Sequence, residues 1–561
     1  MGRRLRYGFL VLVACIIGLS VRPTSLSADS SSSADLIQNL RAHIHHVFII
    51  YQENRSFDSY FGTFPGADNL ATDEARAHGF TQFDPIGNQW ISPFRIADPD
   101  LADADHSRIG LYTKTDGGKM DLFVAAEEGR MLRAGATVAD AQRVGILTMA
   151  HEDCDTVPFL WKYASTFALY DHIFQAMYGP STPGNIDLVA AQTGQTQWAR
   201  HPSEATDSDD GEGVPVVDDL EPAFGPYHGG EPKQKQIDLT FANLFLTLSG
   251  VSATSVVIDN GDVKEDIASL AGSGNAAVPW GWYQQGFKDD GSGTYPAYVT
   301  HHNAAQYFGY VRLNQALWSN VHDLTELLPA IQSGSLPDRG VYFIKGGYQN
   351  PFGWLPANPD PQVRKVFAGD DDHPGYSDSQ VSESMAATFI NAIAQSKYWN
   401  DSAIIILWDD SEGYYDHVPP PTFEPCPDKR PCGDGPRVPL ILISPYARSG
   451  AIVADPGDHA SFAKFVGTVF NLPALASLPD EKPYLPEGPR DANAAITDLL
   501  GGFDPARLDG TTPPIPAAQA EIPKSTVETF PAPMSCKSLG ITPVDVPGGL
   551  AAPPAGYAPR L

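Results

Sequence analysis

Two apolar runs, each followed at once by acidic residues, constrain most strongly what this chain can fold into. The first run covers residues 47–51 (VFIIY) and the second covers 404–408 (IIILW). Runs that are apolar at every position are typical of strands buried on both faces of a parallel sheet. Because a parallel sheet needs crossover helices, the chain is predicted to be an α/β protein, with its ligand beyond the carboxyl ends of these strands.

The residues that follow the two runs are oxygen donors. Glu53 and Asn54 follow the first run, and Asp409 and Asp410 follow the second. Two adjacent carboxylates repel each other unless a positive charge lies between them. Acids after a strand are usually ordinary loop residues, but two such pairs at equivalent strand ends favour a site for one hard divalent metal ion. The sequence does not identify the ion, and no CxxC or HExxH spacing offers a competing site.

Further apolar segments at about 341–345 and 439–443 are separated from the first two by stretches long enough for helices. We therefore predict a single large α/β/α catalytic domain over residues 29–503, although the length of the chain alone would suggest two or more domains. The acidic stretch at about 204–222 predicts a solvated surface insertion. Residues 504–561, rich in Pro and Ala, predict an extended tail over the surface.

Residues 1–28 are predicted to be a secretory signal peptide. Three arginines precede an apolar run and small polar residues follow it, with cleavage near Ser27 or Ala28. The alternative is a lipoprotein processing box ending at Cys15, although the apolar run continues past that cysteine. We expect an exported protein, periplasmic or secreted and without stable membrane insertion, because no later run is long and apolar enough to span a bilayer.

The net charge of the chain limits the kinds of partner it can bind, and its cysteine content indicates the compartment in which it folds. Removal of residues 1–28 takes away four arginines and no acid, which changes the formal net charge from -30 to -34. Such a surface repels nucleic acid, so a nucleic-acid partner is not expected. The four remaining cysteines in an exported chain predict disulfides. Cys426 and Cys432 are the easiest pair, and a bond to Cys536 would fix the tail, but three connectivities are formally open. Nothing indicates the oligomeric state.

A helix is predicted to begin within GPSTPGN, residues 179–185. Pro183 fits the first turn of a helix, and Ser181 or Thr182 is a suitable cap. Capping is the ordinary role of such a hydroxyl. The same position would also suit a nucleophile, because the free N–H groups and the dipole of a helix start stabilise a phosphate. Coordination to a divalent metal would lower the pKa of that hydroxyl.

Two of the 15 histidines have distinctive surroundings: His302 in YVTHHNAAQYFGYV and His373 in GDDDHPGYSDSQ. A lone histidine is usually a surface or hydrogen-bonded residue, so neither is assigned a role by itself. Each gains a functional interpretation only from the motifs around it.

Together these stretches resemble the bacterial phospholipase C and acid phosphatase family, which has the alkaline-phosphatase-like fold. Seven segments follow the order of the family signatures from about His45 to Leu472: ENRSFDSYFG, GGKMDLFV, GPSTPGN, HHN, DDHPGYSDSQ, WDDSEGYYDHVPPP and GPRVPLILISPYA. The resemblance implies a three-layer α/β/α sandwich with a mostly parallel sheet. It also implies a phosphoric ester hydrolase.

The resemblance implies a role for each matching residue. Ser181 would be the nucleophile, His302 and His373 would contact the phosphoryl group, and Asp416 and His417 would support the site. One divalent metal ion would be held by five residues: Glu53, Asn54, Ser181, Asp409 and Asp410.

Two departures from the phospholipase branch bear on the substrate. That branch tends to have G-P-T-x-P-N-R around its nucleophile and Asp-Glu after the late strand. This chain has GPSTPGN at 179–185 and Asp410 after Asp409, which both resemble the acid phosphatase A branch. We therefore expect hydrolysis of small phosphomonoesters through a phosphoserine on Ser181, with Thr182 as the rival nucleophile.

Two other functions stay open. One is a phospholipase C that cleaves phosphatidylcholine-type phosphodiesters. The aromatic residues Trp280, Trp282 and Tyr283 could form a wall for choline by cation–π contact, although we expect them in the core. The other is a non-catalytic exported binding protein on the same fold. It would have lost a nucleophile or a metal ligand, and no such loss is visible.

Overall fold

The computed structural model describes residues 29–206, 213–229, 236–250, 261–288, 295–422, 424–426 and 431–560. The predicted signal peptide, residues 1–28, and part of the acidic stretch, residues 207–212, lie outside the described residues. Within the described ranges, no helix combines the length and apolar character needed to cross a bilayer.

An eight-stranded sheet forms the centre of the fold. In spatial order its strands run β4-β3-β5-β1-β6-β7-β2-β8, numbered here along the chain. All neighbouring strands are parallel except for the two pairs that β7 makes with β6 and β2. The strands are β1 (His46–Gln52), β2 (Ala168–Tyr170), β3 (Trp280–Gln284), β4 (Val321–Asp323), β5 (Gly340–Lys345), β6 (Ser402–Trp408), β7 (Leu440–Ile443) and β8 (Ala451–Val453).

Helices cover both faces of this sheet. Successive residues of β1 show the two faces, since side chains alternate along a strand. The ring of Tyr51 lies 5.9 Å from that of His459, just before α7. The side chain of Gln52 donates to the carbonyl of Ser382 in α6 at 3.4 Å. Helices α1 and α3 contact α7, while α2 and α5 contact α6. These helices are α1 (Asp29–His43), α2 (Pro158–Thr166), α3 (Ser181–Ala190), α4 (Leu244–Ser249), α5 (Leu327–Ser333), α6 (Ser379–Ala394) and α7 (Ala460–Phe470).

Shorter elements connect these layers. Within the described ranges, four strand pairs lie outside the main sheet: Gln82–Asp84 with Gln89–Ile91, Phe94–Arg95 with Ala150–His151, Glu221–Pro222 with Gln236–Ile237, and Glu424–Pro425 with Pro431–Gly433. The further α-helices are Phe57–Phe61, Arg108–Thr115, Phe123–Arg133, Val138–Leu147, Gln195–Arg200, Lys264–Gly272, Ala304–Tyr307, Gly309–Arg312, Gln315–Trp318, Pro361–Val366, Pro505–Leu508, Lys524–Val527 and Cys536–Leu539.

The predicted three-layer α/β/α sandwich with a mostly parallel sheet is confirmed. Each of the four predicted strands is present, and the sheet adds β2, β3, β4 and β8. The register places Ile50 of β1 beside Ile344 of β5 and Ile406 of β6. The carboxyl ends of these three central strands therefore lie side by side.

The aromatic segment of β3 belongs to the core, as expected. Trp280, Trp282 and Tyr283 are all buried. The ring of Trp282 stacks on that of Phe343 with centroids 5.1 Å apart. These side chains therefore do not form an exposed wall for choline.

Two disulfides join the four cysteines, Cys154 with Cys536 and Cys426 with Cys432. The first bond attaches the C-terminal segment to the sequence just before α2. The same segment also contacts α6, since the side chain of Asn391 donates to the carbonyl of Ile522 at 2.8 Å. The division at residue 503 and the acidic insertion stay predictions.

Candidate active site

Three charged strand ends meet at one edge of the sheet. Glu53 and Asn54 follow β1, Asp409 and Asp410 follow β6, and Lys345 ends β5, and all five are buried. This proximity follows from the register, in which Gln52 of β1 lies beside Trp408 of β6. The structure thus brings together the two acidic pairs that the sequence placed at equivalent strand ends.

Ser181 is the first residue of α3 and points into this group. Its hydroxyl donates to Oε2 of Glu53 at 2.8 Å, and it lies 3.4 Å from Oδ1 of Asn54 and 3.5 Å from Oδ2 of Asp410. Pro180 occupies the N-cap position and makes no side-chain cap. The Ser181 hydroxyl therefore faces the carboxylates instead of capping the helix.

The two oxygens of Asp409 differ in their partners. Oδ1 accepts the backbone N–H groups of Asn54 at 3.0 Å and Asp410 at 2.8 Å. Oδ2 is buried and, among the described residues, has no hydrogen-bond partner. Burial and the neighbouring Asp409 charge raise the pKa of Asp410 well above its usual value. Because an unpaired buried oxygen and a like-charge pair are both costly, this donor set fits a hard divalent cation.

Lys345 is a site residue that the sequence interpretation missed. Its ammonium group contacts Oε1 of Glu53 and lies 4.5 Å from the centre of the Tyr51 ring. Burial lowers the pKa of Lys345 to about 8. The available signal was its position, because Lys345 ends the segment predicted as a strand at 341–345.

His302 reaches the same carboxylate from another direction. Its Nε2 lies 3.2 Å from Oε2 of Glu53, without the alignment of a hydrogen bond, and its Nδ1 lies 3.9 Å from Oδ2 of Asp371. Burial lowers the pKa of His302 well below its usual value, so the neutral ring is favoured.

His373 is separated from Asn54 by the side chain of His106. Its ring packs edge-on against His106, with centroids 5.6 Å apart. Nε2 of His106 lies 3.3 Å from Nδ2 of Asn54, and its Nδ1 lies 3.6 Å from Oε2 of Glu412. Burial lowers the pKa of His373 to about 4. His106 lies in none of the motifs used to identify the site, so the sequence offered no signal for it.

Thr182, the rival nucleophile, contacts a different set of groups. Its hydroxyl donates to Oδ1 of Asp219 at 2.8 Å and lies 3.4 Å from the hydroxyl of Tyr307. Asp219 belongs to the stretch predicted as an acidic insertion. Of the two hydroxyls, that of Ser181 is the one placed among Glu53 and the aspartates.

Asp416 and His417 form a separate charged cluster next to the segment that follows β1. Nδ1 of His417 lies 2.7 Å from Oδ2 of Asp58. The guanidinium of Arg437 lies 2.9 Å from Oδ1 of Asp416 and 3.1 Å from Oδ1 of Asp58. This cluster attaches the helix Phe57–Phe61, which follows Glu53 and Asn54, to the loop after β6, which begins with Asp409 and Asp410.

Other side chains also group in the manner of metal ligands. The described residues contain three such groups. Two of them have competing partners, because Arg437 pairs with both Asp58 and Asp416 and Cys536 is in a disulfide. The third adjoins Asn54 through His106. The groups are His106 with His373 and Glu412, Asp58 with Asp416 and His417, and Asp153 with Asp155 and Cys536.

Comparison with protein families gives a match over most of the chain. The Phosphoesterase family matches residues 44–473. The chain belongs to the phosphoesterase family. This confirms the family predicted from the seven motifs and supports a phosphoric ester hydrolase.

Relatives of this phosphoesterase include two bacterial proteins. Non-hemolytic phospholipase C of Burkholderia pseudomallei is 24% identical over 510 residues, which cover 86% of this chain and 62% of the relative. Phospholipase C B of Mycobacterium tuberculosis is 24% identical over 466 residues, covering 77% of this chain and 74% of the relative. The chain thus spans less than two thirds of the Burkholderia protein.

Solved structures show only distant likeness to this phosphoesterase. A protein in the alkaline phosphatase superfamily from Vibrio parahaemolyticus has 9% identity and a TM-score of 0.27, with 78% of this chain and 75% of that chain covered. The lipoteichoic acid synthase LtaP from Listeria monocytogenes has 11% identity and a TM-score of 0.26, with 77% and 78% covered. Neither likeness bears on the function.

Proposed function

We propose that this chain is a metal-dependent phosphoesterase that hydrolyses small phosphomonoesters through a phosphoserine on Ser181. The observation that carries the proposal is the position of the Ser181 hydroxyl. It lies at the start of a ten-residue helix and 2.8 Å from Glu53, inside a buried group of carboxylates. A phosphoryl group transferred to this hydroxyl would meet the N–H groups and the positive end of the helix dipole.

The donor set fits the expected divalent cation, because Asp409 keeps an unpartnered buried oxygen beside two other carboxylates. When bound, such a cation lowers the pKa of a coordinated hydroxyl and neutralises charge on a phosphoryl group. The residues that would hold it are Glu53, Asn54, Ser181, Asp409 and Asp410.

The side chains around Ser181 have separate proposed roles in a two-step transfer. Oγ of Ser181 forms a bond to phosphorus while the bond to the leaving alcohol breaks, and Oε2 of Glu53 is placed to accept the hydroxyl proton. Neutral His302 has one N–H group to donate to the phosphoryl oxygens. In neutral His373 the N–H is on Nδ1 and donates to the carbonyl of Pro374 at 2.5 Å, so the protonated ring would be needed for Nε2 to donate to a phosphoryl or leaving oxygen. Water then cleaves the phosphoserine and releases phosphate.

The preference for monoesters rests on the motif at 179–185 and on Asp410 after Asp409, which both resemble the acid phosphatase A branch. A second candidate is a phospholipase C, which the names of both bacterial relatives favour. The two candidates share the nucleophile and differ in whether the phosphorus carries a second alcohol.

The test uses p-nitrophenyl phosphate and p-nitrophenylphosphorylcholine side by side with purified protein. We expect faster turnover of the monoester, loss of turnover in Ser181→Ala, and retained turnover in the matched variant Thr182→Ala. Acid-quenched wild type should carry phosphate on Ser181 by mass spectrometry. A label on Thr182 would reassign the nucleophile, and faster turnover of the choline ester would favour the phospholipase C.

We also propose export to the periplasm or medium, supported by the signal-peptide pattern of residues 1–28. Fractionation of cells that produce the full chain would locate the protein. N-terminal sequencing should begin near residue 28 or 29, whereas a lipid-modified Cys15 would indicate the lipoprotein alternative.

A further inference from the structure

A cavity of about 460 Å³ opens beside His373. One wall comes from the helix Pro361–Val366 and the residue after it, and the other from the loop 373–376. The C-terminal segment closes part of the cavity with Arg560. This volume lies within the range of small-molecule sites.

Two chains of contacts connect this cavity to the proposed nucleophile. In the first chain, the ring of His373 packs on the ring of His106. Nε2 of His106 lies 3.3 Å from Nδ2 of Asn54. Oδ1 of Asn54 lies 3.4 Å from Oγ of Ser181. His373, which would meet a phosphoryl group, therefore lines the cavity, and the side chains of His106 and Asn54 lie between it and Ser181.

The second chain begins at Tyr376 on the cavity wall. Its hydroxyl donates to Oδ2 of Asp371 at 2.8 Å, and that same oxygen lies 3.9 Å from Nδ1 of His302. His373 thus lines the cavity directly, whereas His302 is connected to it through Asp371 and Tyr376. A substrate whose phosphoryl group lies at Ser181 would extend its alcohol portion toward this space.

The residues that line the cavity determine which kinds of alcohol group it can accommodate. Its apolar part comes from Val363, Val366, Phe367 and Pro374. Its acids, Asp103 and Asp360, are exposed.

Arg560 is the one basic side chain apart from His373 among the described residues that line this cavity. Its Nη1 is already paired with Asp98 at 2.8 Å and Asp100 at 3.1 Å. An anionic group in the cavity would therefore face two exposed acids and an arginine whose charge is already paired with two carboxylates. An aromatic or alkyl group would instead replace water at the apolar side chains, which is favourable.

We propose that this cavity binds the leaving alcohol and makes the enzyme selective for phosphomonoesters of apolar, uncharged alcohols, such as aryl phosphates. Phosphate esters of anionic alcohols, such as 2-phosphoglycerate, are disfavoured. The proposal rests on the phosphoesterase function proposed above and names the substrate class of that site.

The test compares kcat/KM for 1-naphthyl phosphate, glycerol 2-phosphate and 2-phosphoglycerate in wild type and in Val366→Glu. Val366 is 47% exposed, so a glutamate there should fold while placing a charge in the cavity. We expect wild type to prefer 1-naphthyl phosphate and to use 2-phosphoglycerate least. The variant should lower that preference over glycerol 2-phosphate by about tenfold, the usual effect of losing apolar pocket contacts. The control Val138→Glu, at a 59% exposed position outside the cavity, should behave as wild type.

Calorimetric titration with 1-naphthol gives a second measurement that does not depend on turnover. Val366→Glu should bind 1-naphthol about tenfold more weakly than wild type and Val138→Glu. Unchanged selectivity and unchanged 1-naphthol binding in Val366→Glu, with turnover intact, would overturn the cavity assignment alone. Absence of turnover on all three esters in wild type would instead overturn the phosphoesterase proposal.

Discussion

The ammonium group of Lys345 contacts Oε1 of Glu53, while the hydroxyl of Ser181 donates to Oε2 of the same carboxylate. Glu53 is therefore held on one side by the end of β5 and on the other by the start of α3. Since all three side chains are buried, their positions are set by the core beneath them. The carboxylate that would take the proton of Ser181 thus has a fixed orientation before substrate binds.

The first prediction concerns this pair. Lys345→Met should lower the free energy of unfolding by about 3 kcal/mol in a buffer with chelator, because removing one partner leaves a buried carboxylate uncompensated. Urea denaturation followed by circular dichroism measures the difference.

Lys264→Met is the matched control, since Lys264 is exposed and its ion pair with Glu265 has an N–O distance of 4.0 Å. It should leave stability unchanged. An equal effect of both substitutions would show that the Lys345 pair does not stabilise the fold.

The parts of the fold and the site that follow strands could be predicted from sequence. A strand buried on both faces is apolar at every position, so the end of β1 and the end of β6 are visible as the points where Glu53 and Asp409 appear. The parallel register then places those ends together. The same logic was available for Lys345, but one lysine at a strand end is not distinctive without its partner.

The parts that depend on loop packing could not be predicted. His106 and Asp219 reach the site from loops far from it in sequence, and neither lies in a periodic segment. Short strands such as Ala168–Tyr170 are also invisible, because three residues do not establish a pattern. The position of Ala168–Tyr170 is set by its pairing with Leu440–Ile443, a tertiary contact that the sequence of the short strand does not encode locally.

A second prediction concerns pH and His417. Burial alone would lower the pKa of this histidine, but Asp58 and Asp68 raise it to about 9. The folded pKa thus exceeds the unfolded value of about 6.5. The stabilisation is complete below about pH 6.5 and is lost as pH rises through about 9, a difference of about 3 kcal/mol. Urea denaturation at pH 6.5 and pH 9 should show this loss in wild type.

The variant His417→Gln should lack this component, so its stability should change less between the two pH values. His45→Gln, at an exposed position, should keep the wild-type dependence. Parallel pH profiles for wild type and His417→Gln would contradict the assignment.

A third prediction compares the two disulfides. Cys154 and Cys536 are 382 residues apart in sequence, whereas Cys426 and Cys432 are six apart. Because closing a longer loop restricts the unfolded chain more, Cys154→Ala with Cys536→Ala should cost about 4 kcal/mol more than Cys426→Ala with Cys432→Ala. Denaturation of both double variants under non-reducing conditions measures this difference. Equal losses would show that loop length does not set the contribution of these bonds.

The last prediction concerns the unpartnered oxygen of Asp409. Asp409→Asn should have opposite effects on stability in the presence and absence of a divalent ion. Without ions, the variant should melt at the same temperature as wild type or higher, because it removes one of two adjacent buried charges.

With Mg²⁺, Mn²⁺ or Ca²⁺ in separate scans, the ion that binds should raise the melting temperature of wild type. The stabilisation is about 2.7 kcal/mol at one hundred times its dissociation constant. The variant should lack most of this rise and should also lose turnover. Asp73→Asn, where the carboxylate is exposed, should keep both the ion-dependent rise and the activity. An equal rise in Asp409→Asn and in wild type would exclude Asp409 as a ligand, because replacing a charged ligand by a neutral amide weakens ion binding.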